Sequence, residues 1–416
     1  MDIRIQHAKL AKPTQVDRKA VVVTLSQRGS FWTAASVAGL ALWASAAPTV
    51  VYPLYAQQWA LPPAVTTAIF AVYPIVLVPV LIVFGNLSDV IGRRAVILLG
   101  LAALGAGSVA FGLAPDLTWV FIGRALMGVG VGLSLSPATA AMVEFGGRDG
   151  ARRAGPATTA ATATGLALAT IVGGALVQYA PEPLRLSFWV LTAITVAVGV
   201  AAFLLPRHTR DESAGPWRPR LPRMPRAGRS AFVAGTLGVS AAYAMGAVFL
   251  ALGAQIAREL VRSDNAFVDG AIISLSAVTI GVVAVAARGV PARRSVTIGP
   301  LLAVVGLGLL VVAGLAHSLP AFIASSLVAG AGYALMFSGG LGLVTASAPT
   351  HHRASVISAA YVVGYLVQAV AALGLGVIAT SSGLQFALEL GVPVILLLGI
   401  GALVVANAPQ RVPVAA

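Results

Sequence analysis

Gly85-Asn86-Leu87-Ser88-Asp89-Val90-Ile91-Gly92-Arg93-Arg94 separates two long apolar runs and decides how the chain is read. Residues 64–84 on one side and 95–114 on the other contain no charged group. Each is about 20 residues, the length of helix that crosses the hydrocarbon core of a bilayer. The ten residues between them leave room only for a reversal, so the two helices must run antiparallel. Gly85 and Gly92 permit a tight turn and a close backbone approach. Asp89 sits beside Arg93 and Arg94, and a half-buried carboxylate there must be paired or neutralised.

The same pattern continues in both directions. Apolar spans occur at roughly 31–55, 64–84, 95–114, 118–142, 155–178, 186–205, 231–253, 269–287, 295–316, 320–345, 354–379 and 386–406, numbered here as helices 1 to 12. Across all 416 residues, 58% are apolar, 10% are charged, and the mean hydropathy is +0.92. A soluble surface carries about 25% charged residues, so most of this outer face must meet lipid. The expected fold is an all-α integral membrane protein of twelve transmembrane helices. With 0 Cys, disulfides and thiolate metal sites are excluded, and the five His lack a metal-ligand spacing. No metal and no cofactor is expected.

A net charge of +14 raises the question of nucleic acid, and the distribution of charge answers it. With the N-terminus inside, the Lys and Arg fall in the N-terminal tail, the even-to-odd loops, the centre and the C-terminal tail. Only Arg185, Arg258 and Arg262 lie on the other side, and Arg124 lies within a helix. The positive-inside rule accounts for this split, and no folded basic face for nucleic acid remains. A plasma or inner membrane location with both termini cytoplasmic follows. The segment 206–230 is rich in Pro and Arg and breaks any continuous helix. It divides the chain into a tail at 1–30, six-helix bundles at 31–205 and 231–406, and a tail at 407–416. Its seven Arg suit contact with anionic lipid headgroups.

The two bundles repeat. Gly128 and Gly130 of helix 4 fall on Gly330 and Gly332 of helix 10 at an offset of 202, and Arg153-Ala154 falls on Arg353-Ala354 at 200. Gly165 and Gly364 follow at similar distances. Duplicated six-helix halves are a transporter architecture, with the site near the midplane between them.

The loop quoted first resembles the signature loop of the major facilitator superfamily, G-x-L-[AS]-D-x-x-G-R-[KR]. Gly85, Leu87, Asp89, Gly92, Arg93 and Arg94 occupy fixed positions. The resemblance implies that Asp89 acts as a gate, meeting the N-terminus of helix 11 near Arg353–Ser358. The second copy, Arg288-Gly289-Val290-Pro291-Ala292-Arg293-Arg294, lacks the acid. Arg124 lies in a run similar to the family's helix-4 pattern R-x-x-x-G-x-G, which implies a part in proton coupling. Read from residues alone, an Arg at membrane depth is a functional candidate, but Arg124 is about seven residues, roughly 10 Å, from a helix end and could snorkel. Its counterpart is Ser326. Helix 5 departs from the exchanger pattern: no Pro follows Gly173-Gly174, which weakens an antiporter reading.

Of the 13 acids, Asp269 and Glu389 stand just inside helix ends and are the candidate proton carriers; helix 1 has no acid. Tyr361, Tyr365 and Gln368 share one face of helix 11, and Tyr333 and Phe337 pair in helix 10. With Trp43 in helix 1 they are the candidate cavity residues, suited to an uncharged or lipophilic solute. The expected function is an alternating-access secondary transporter, working as a monomer, that exports drug-like molecules against protons. The alternatives are uptake of a small metabolite such as an organic acid or sugar, and a receptor or scaffold that transports nothing. No G-x-x-x-x-G-K-[ST] loop offers nucleotide energy, and no constellation in the helices suits an enzyme.

Topology is checked directly, because a chain with 0 Cys accepts single-cysteine labelling without background. Ser213→Cys should resist a membrane-impermeant maleimide in intact cells and react after permeabilisation.

Overall fold

A computed structural model describes residues 3–6, 22–206, 228–347 and 353–407. The central segment 207–227, the residues 348–352 before helix 11, and the tail 408–416 lie outside the described residues, and with them the expectation of lipid contact at the central loop. Among the described residues, twelve helices are long and apolar enough to cross a membrane. Helices 1 to 6 are Gln27–Gln58, Pro63–Phe84, Arg93–Leu113, Leu117–Phe145, Gly150–Tyr179 and Leu186–Phe203. Helices 7 to 12 are Arg229–Glu259, Ala266–Gly289, Ala292–Leu315, Leu319–Ser347, Arg353–Ser382 and Leu384–Asn407.

Local chemistry sets the helix starts. Ser26 caps helix 1, its hydroxyl accepting from Gly29 N at 3.1 Å. Asp116 caps helix 4 through Thr118 N at 2.8 Å, and Asn265 caps helix 8 through Phe267 N at 2.9 Å. Pro48 and Pro53 break helix 1 as the sequence leads one to expect: Ala47–Val50 is a 3₁₀ turn before the α-helix resumes at Tyr52. Helix 7 is interrupted at the matching depth by a π turn at Val248–Leu252, which no residue pattern announces. A short antiparallel pair, Ile3–Gln6 with Val22–Leu25, was also not foreseen in the polar N-terminal stretch.

Burial sorts the helices by position. Helices 1 and 7 are 78% and 83% buried over their apolar windows, against 28% for helices 6, 8 and 12, so the first pair is central. Val196, Val200 and Phe203 of helix 6 and Leu397 and Val404 of helix 12 are exposed accordingly. Between lipid-embedded helices there is no hydrophobic drive, and close packing of small residues replaces it. Helices 3 and 4 meet at Gly100 and Gly130. Helices 9 and 10 meet in the same way at Gly299 and Gly332, so the repeat is present in the packing as well as in the sequence.

The halves join at the end remote from the basic loops, called the distal end here. Thr49 Oγ1 donates to Leu250 O at 2.9 Å, linking the break in helix 1 to the break in helix 7, and Arg258 reaches Gln57 at 3.4 Å. Ala64 N donates to Thr380 Oγ1 at 2.9 Å, and Ala266 N donates to Gln178 Oε1 at 2.8 Å. Residues 49 and 250, 57 and 258, 64 and 266, and 178 and 380 are separated by 201 or 202 positions, the repeat offset. The distal contact is therefore two-fold symmetric. Helix 2 is capped by helix 11, and helix 8 by helix 5.

Close packing gives a test with its own control. A Cβ on Gly332 would stand 2.6 Å from Ala303 N, whereas nothing lies within 4 Å of one on Gly199. Gly332→Val should cost about 1–3 kcal/mol and lower the melting temperature in detergent, while Gly199→Val should leave it within error.

Candidate functional site

The loop after helix 2 is built by its two glycines. Helix 2 closes with Gly85 N on Leu81 O at 3.1 Å, and a one-turn helix follows at Leu87–Ile91. Gly92 then adopts φ 91°, ψ 149°, a conformation that favours glycine, and helix 3 starts at Arg93. The turn aims Arg93 back across the loop. Its guanidinium pairs with Asp89, donates to Ser88 Oγ at 2.6 Å, and donates through Nε to Glu144 Oε1 at 3.1 Å. Arg94 donates to Leu205 O at 3.1 Å and lies 4.5 Å over the Phe203 ring. One loop thus ties the ends of helices 2, 3, 4 and 6 together. Asp89 itself is more than half exposed. Among the described residues Asp89 pairs with Arg93 and with no group at the start of helix 11 near Arg353–Ser358, where the side chains of residues 353–355 lie outside the described residues.

Arg124 does not snorkel. It is fully buried, and its Nη1 donates to Ser45 O at 2.9 Å and Ala44 O at 3.5 Å. The reason is in helix 1. Pro48 has no N–H, so the Ala44 carbonyl loses its helical donor and is free for the guanidinium. The rings of Tyr73 and Phe70 complete the cage, 4.8 Å and 5.4 Å from the guanidinium carbon. Such contacts contribute about 0.5–2 kcal/mol each when desolvated. Nε and Nη2 have no partner among the described residues, and neither has the buried hydroxyl of nearby Tyr52. The cage holds a cation without an anion.

Tyr73 also belongs to an aromatic cluster that crosses the interface between the halves. Its ring meets Tyr365 at 6.4 Å edge-on, Tyr365 meets Tyr243 at 4.7 Å, and Tyr243 meets Phe337 at 5.8 Å. Phe337 packs on Tyr333 at 6.0 Å and Tyr361 at 6.2 Å. The polar groups of Ser45 and Tyr365 lie near the Tyr73 side chain, and that of Tyr243 lies near Tyr365. The predicted face of helix 11 does point inward: Tyr365 and Gln368 are buried, whereas Val363, Leu366 and Val370 are exposed. Gln368 Oε1 is buried without a partner among the described residues. The cluster and the Arg124 cage share Tyr73, so cation and phenols form one continuous site.

Three sequence candidates lie elsewhere. Trp43 faces a crevice among Ala169, Val172 and Gly173 of helix 5 and Ser187 and Val190 of helix 6, away from the aromatic cluster. The helical period explains this, since the neighbouring carbonyls of Ala44 and Ser45 already take the side toward helix 4. Glu389 is exposed on helix 12, where it accepts from Gln385 at 3.1 Å. Asp269 is buried at 3% exposure, in the first turn of helix 8 at the distal contact.

The profile of the Major Facilitator Superfamily matches residues 31–372. The chain belongs to that superfamily. It is a multi-pass membrane protein of the superfamily fold, and not an enzyme. It is 31% identical over 230 residues to the multidrug efflux pump LfrA of Mycolicibacterium smegmatis, covering 52% of this chain and 44% of that protein. It is 29% identical over 136 residues to the lincomycin resistance protein of Streptomyces lincolnensis, covering 33% of this chain and 28% of that one. The chain thus aligns with less than half the length of these relatives. Among solved structures, an inward-facing bacterial homologue of the lysosomal transporter Spinster superposes with TM-score 0.72 at 14% identity, covering 91% of this chain and 97% of that one. A POT family transporter in complex with 5-aminolevulinic acid gives 0.73 at 14%, covering 90% and 95%. These two establish the fold.

Sequence reading missed Tyr73, Tyr243, Ser45 and Glu144 as neighbours of the candidate residues. Tyr73 stands before Pro74 in a helix apolar on all sides, where no period marks a face. Tyr243 offered one signal, its place five residues before the π turn. Glu144 could have been found from the need of Arg93 for a second carboxylate.

Because Arg93 serves both acids, their contributions should not add. Asp89→Asn and Glu144→Gln, alone and together, should give a coupling energy of about 0.5–3 kcal/mol in a stability cycle; additivity would separate the two acids.

Proposed function

We propose that the chain is an alternating-access secondary transporter of the cell membrane that exports lipophilic, drug-like molecules in exchange for protons. The observation that supports this best is the joined site between the two halves. A fully buried cation without an anionic partner shares Tyr73 with a phenol-rich cluster spanning both halves. Aromatic faces accommodate an apolar body, while the Tyr hydroxyls and Gln368 supply the few directed polar contacts that orient it. The two efflux and resistance relatives point the same way.

On this reading the basic loops and both termini are cytoplasmic and the distal end is outside, so the distal contacts are an outer gate in its closed state. Asp89, with Arg93 and Glu144, belongs to the inner gate. When the cytoplasmic side closes, Asp89 is drawn to the start of helix 11, whose dipole favours a carboxylate. The monomer is the working unit, and anionic lipid lies against the central basic segment.

Arg124 couples substrate to protons through charge. A buried cation lowers the cost of a nearby negative charge and raises that of a positive one. Occupancy of the adjacent chamber and protonation of groups facing it therefore cannot be independent.

Proteoliposomes with an imposed pH gradient and a panel of lipophilic dyes test the reading. Accumulation should follow the gradient and collapse with an ionophore. Arg124→Ala should abolish concentrative transport yet leave substrate exchange partly intact, and Tyr365→Ala should raise the KM for the dye about 10-fold or more. Transport indifferent to the gradient would remove proton coupling. Transport of metabolites alone would turn the reading to uptake.

A further inference from the structure

Helices 1, 3 and 6 leave a crevice of about 40 Å³ where their distal ends meet, with Tyr55, Gln58, Trp59, Phe111, Leu184 and Arg185 in its lining. Gln58 closes helix 1, Leu113 closes helix 3 and Leu186 opens helix 6, so the crevice lies where apolar helix gives way to loop. In a bilayer that level is the headgroup layer. Its walls are firmly packed. Tyr55 and Trp59 stack at 4.9 Å and 7°, and Phe111, itself buried, stacks on Phe188 at 4.4 Å. The turn before helix 6 is tied by Arg185 N and Leu186 N, which both donate to Glu182 O, at 2.9 Å and 3.0 Å. It sets Arg185 at the mouth with Glu182 beside it, their charged atoms 4.0 Å apart and both side chains more than half exposed. An exposed pair held so loosely contributes little stability. The repeat does not call for it either. At the offset of 202, Glu182 and Arg185 fall on Leu384 and Ala387, both buried in the other half.

We propose that this mouth binds one phospholipid of the distal leaflet, with the phosphate on Arg185 and the ammonium of a zwitterionic headgroup on Glu182. A guanidinium presents paired N–H groups that match phosphate oxygens, and the bonds are charge-assisted. The other distal cations are placed differently. Arg258 is directed to Gln57, and Arg262 stands in the turn before helix 8. Arg185 instead tops a lipid-facing lane. Below it helix 6 exposes Trp189, Ala193, Val196, Val200 and Phe203, spaced by three or four residues and therefore on one face. The indole of Trp189, in the first turn, suits the boundary between headgroup and chain, and the aliphatic residues below it suit an acyl chain. Head site and chain lane are thus continuous. The sign of the headgroup follows from the pair. A headgroup with phosphate alone would meet the Glu182 carboxylate as a like charge, whereas an ammonium neutralises it. The opposite bundle supplies the contrast. Helix 12 exposes a similar stripe at Leu390, Val394 and Leu397, but its single charged residue is Glu389, which repels phosphate. The site is separate from the basic loops at the other end of the bundle, and it does not depend on the export reading.

The test uses the full chain in nanodiscs that carry trace phosphatidylethanolamine or phosphatidylglycerol with a photoreactive acyl chain. Crosslinks are mapped by mass spectrometry to residues 189–196 of helix 6 and, as the level of ordinary lipid contact, to residues 390–397 of helix 12. Phosphatidylethanolamine should label helix 6 about 5-fold or more above helix 12. Arg185→Ala should bring helix 6 down to the helix 12 level. Glu182→Gln should erase the preference for phosphatidylethanolamine over phosphatidylglycerol. Arg262→Ala, which removes an exposed distal charge elsewhere, should leave the pattern unchanged. Arg185 and Glu182 are exposed, so their variants should fold as the parent does. Equal labelling of the two helices in the parent, parental labelling in Arg185→Ala, or an equal loss in Arg262→Ala would overturn the site. A headgroup preference that survives Glu182→Gln would overturn the zwitterionic assignment. Loss of the helix 6 label on adding inorganic phosphate would make a free anion the occupant and overturn the lipid.

Discussion

Lipid offers no hydrogen bonds, so every backbone group that a break or a helix end sets free must find its partner inside the protein. In this chain those partners are the functional contacts. Pro48 frees the carbonyl of Ala44, and Arg124 takes it together with that of Ser45. The π turn in helix 7 presents Leu250 O, and Thr49 from the opposite half takes it. The first amides of helices 2 and 8 are capped by Thr380 and Gln178, again from the opposite half. The halves are thus joined by backbone groups set free at breaks and helix ends, beside an apolar and aromatic seam that crosses the same interface. Contacts of this kind are few and directional, and water can replace them when the distal end opens. An interface that must open repeatedly needs bonds of that character.

Duplication explains the skeleton, and departures from it explain the chemistry. Gly130 and Gly332 do the same work in the two halves, as do Gly100 and Gly299. Charges break the equivalence at several places, three of them beside the sites described above. The loop with Asp89 has a twin without an acid, Arg124 has Ser326, and Thr67 has Asp269. Two identical halves would respond identically to any ligand on the axis. With unequal charges, the two halves meet the axis with different electrostatics.

Much of this was legible before any coordinates. The spans, the central division and the repeat follow from apolar length, basic loops and glycine offsets, because lipid imposes those patterns on every helix alike. The inward face of helix 11 was legible too, since Tyr361, Tyr365 and Gln368 break an otherwise apolar surface. What stayed hidden shares one cause. Helices 1, 2 and 7 are apolar on all sides, so the rule that assigns an apolar face inward has no purchase there. Trp43 turned to helices 5 and 6, Tyr73 turned to Arg124, and Tyr243 joined the cluster, with no period to announce any of them. Glu389 and Asp269 looked alike as acids just inside a helix end. Their difference is tertiary, since helix 12 is peripheral and helix 8 packs on helix 5.

The shared residue Tyr73 shows why chamber and cage act as one site. Its face receives the Arg124 guanidinium while its edge meets Tyr365 of the other half. Moving helix 11 away, as opening of the chamber requires, removes Tyr365 from the ring but leaves the cation in place. The guanidinium is held from the other side by backbone carbonyls of helix 1, which belong to the same half and travel with it. On the alternating-access reading Arg124 and Tyr73 therefore keep their places within one half, while the phenols of the other half move relative to them. A solute that replaces Tyr365 against Tyr73 enters a field already set by the cation, which disfavours a second positive charge lodged directly beside it. A cationic drug would have to keep its charge toward Gln368 and its apolar body toward Tyr73, so the geometry orders the two ends of an amphiphile along the interface.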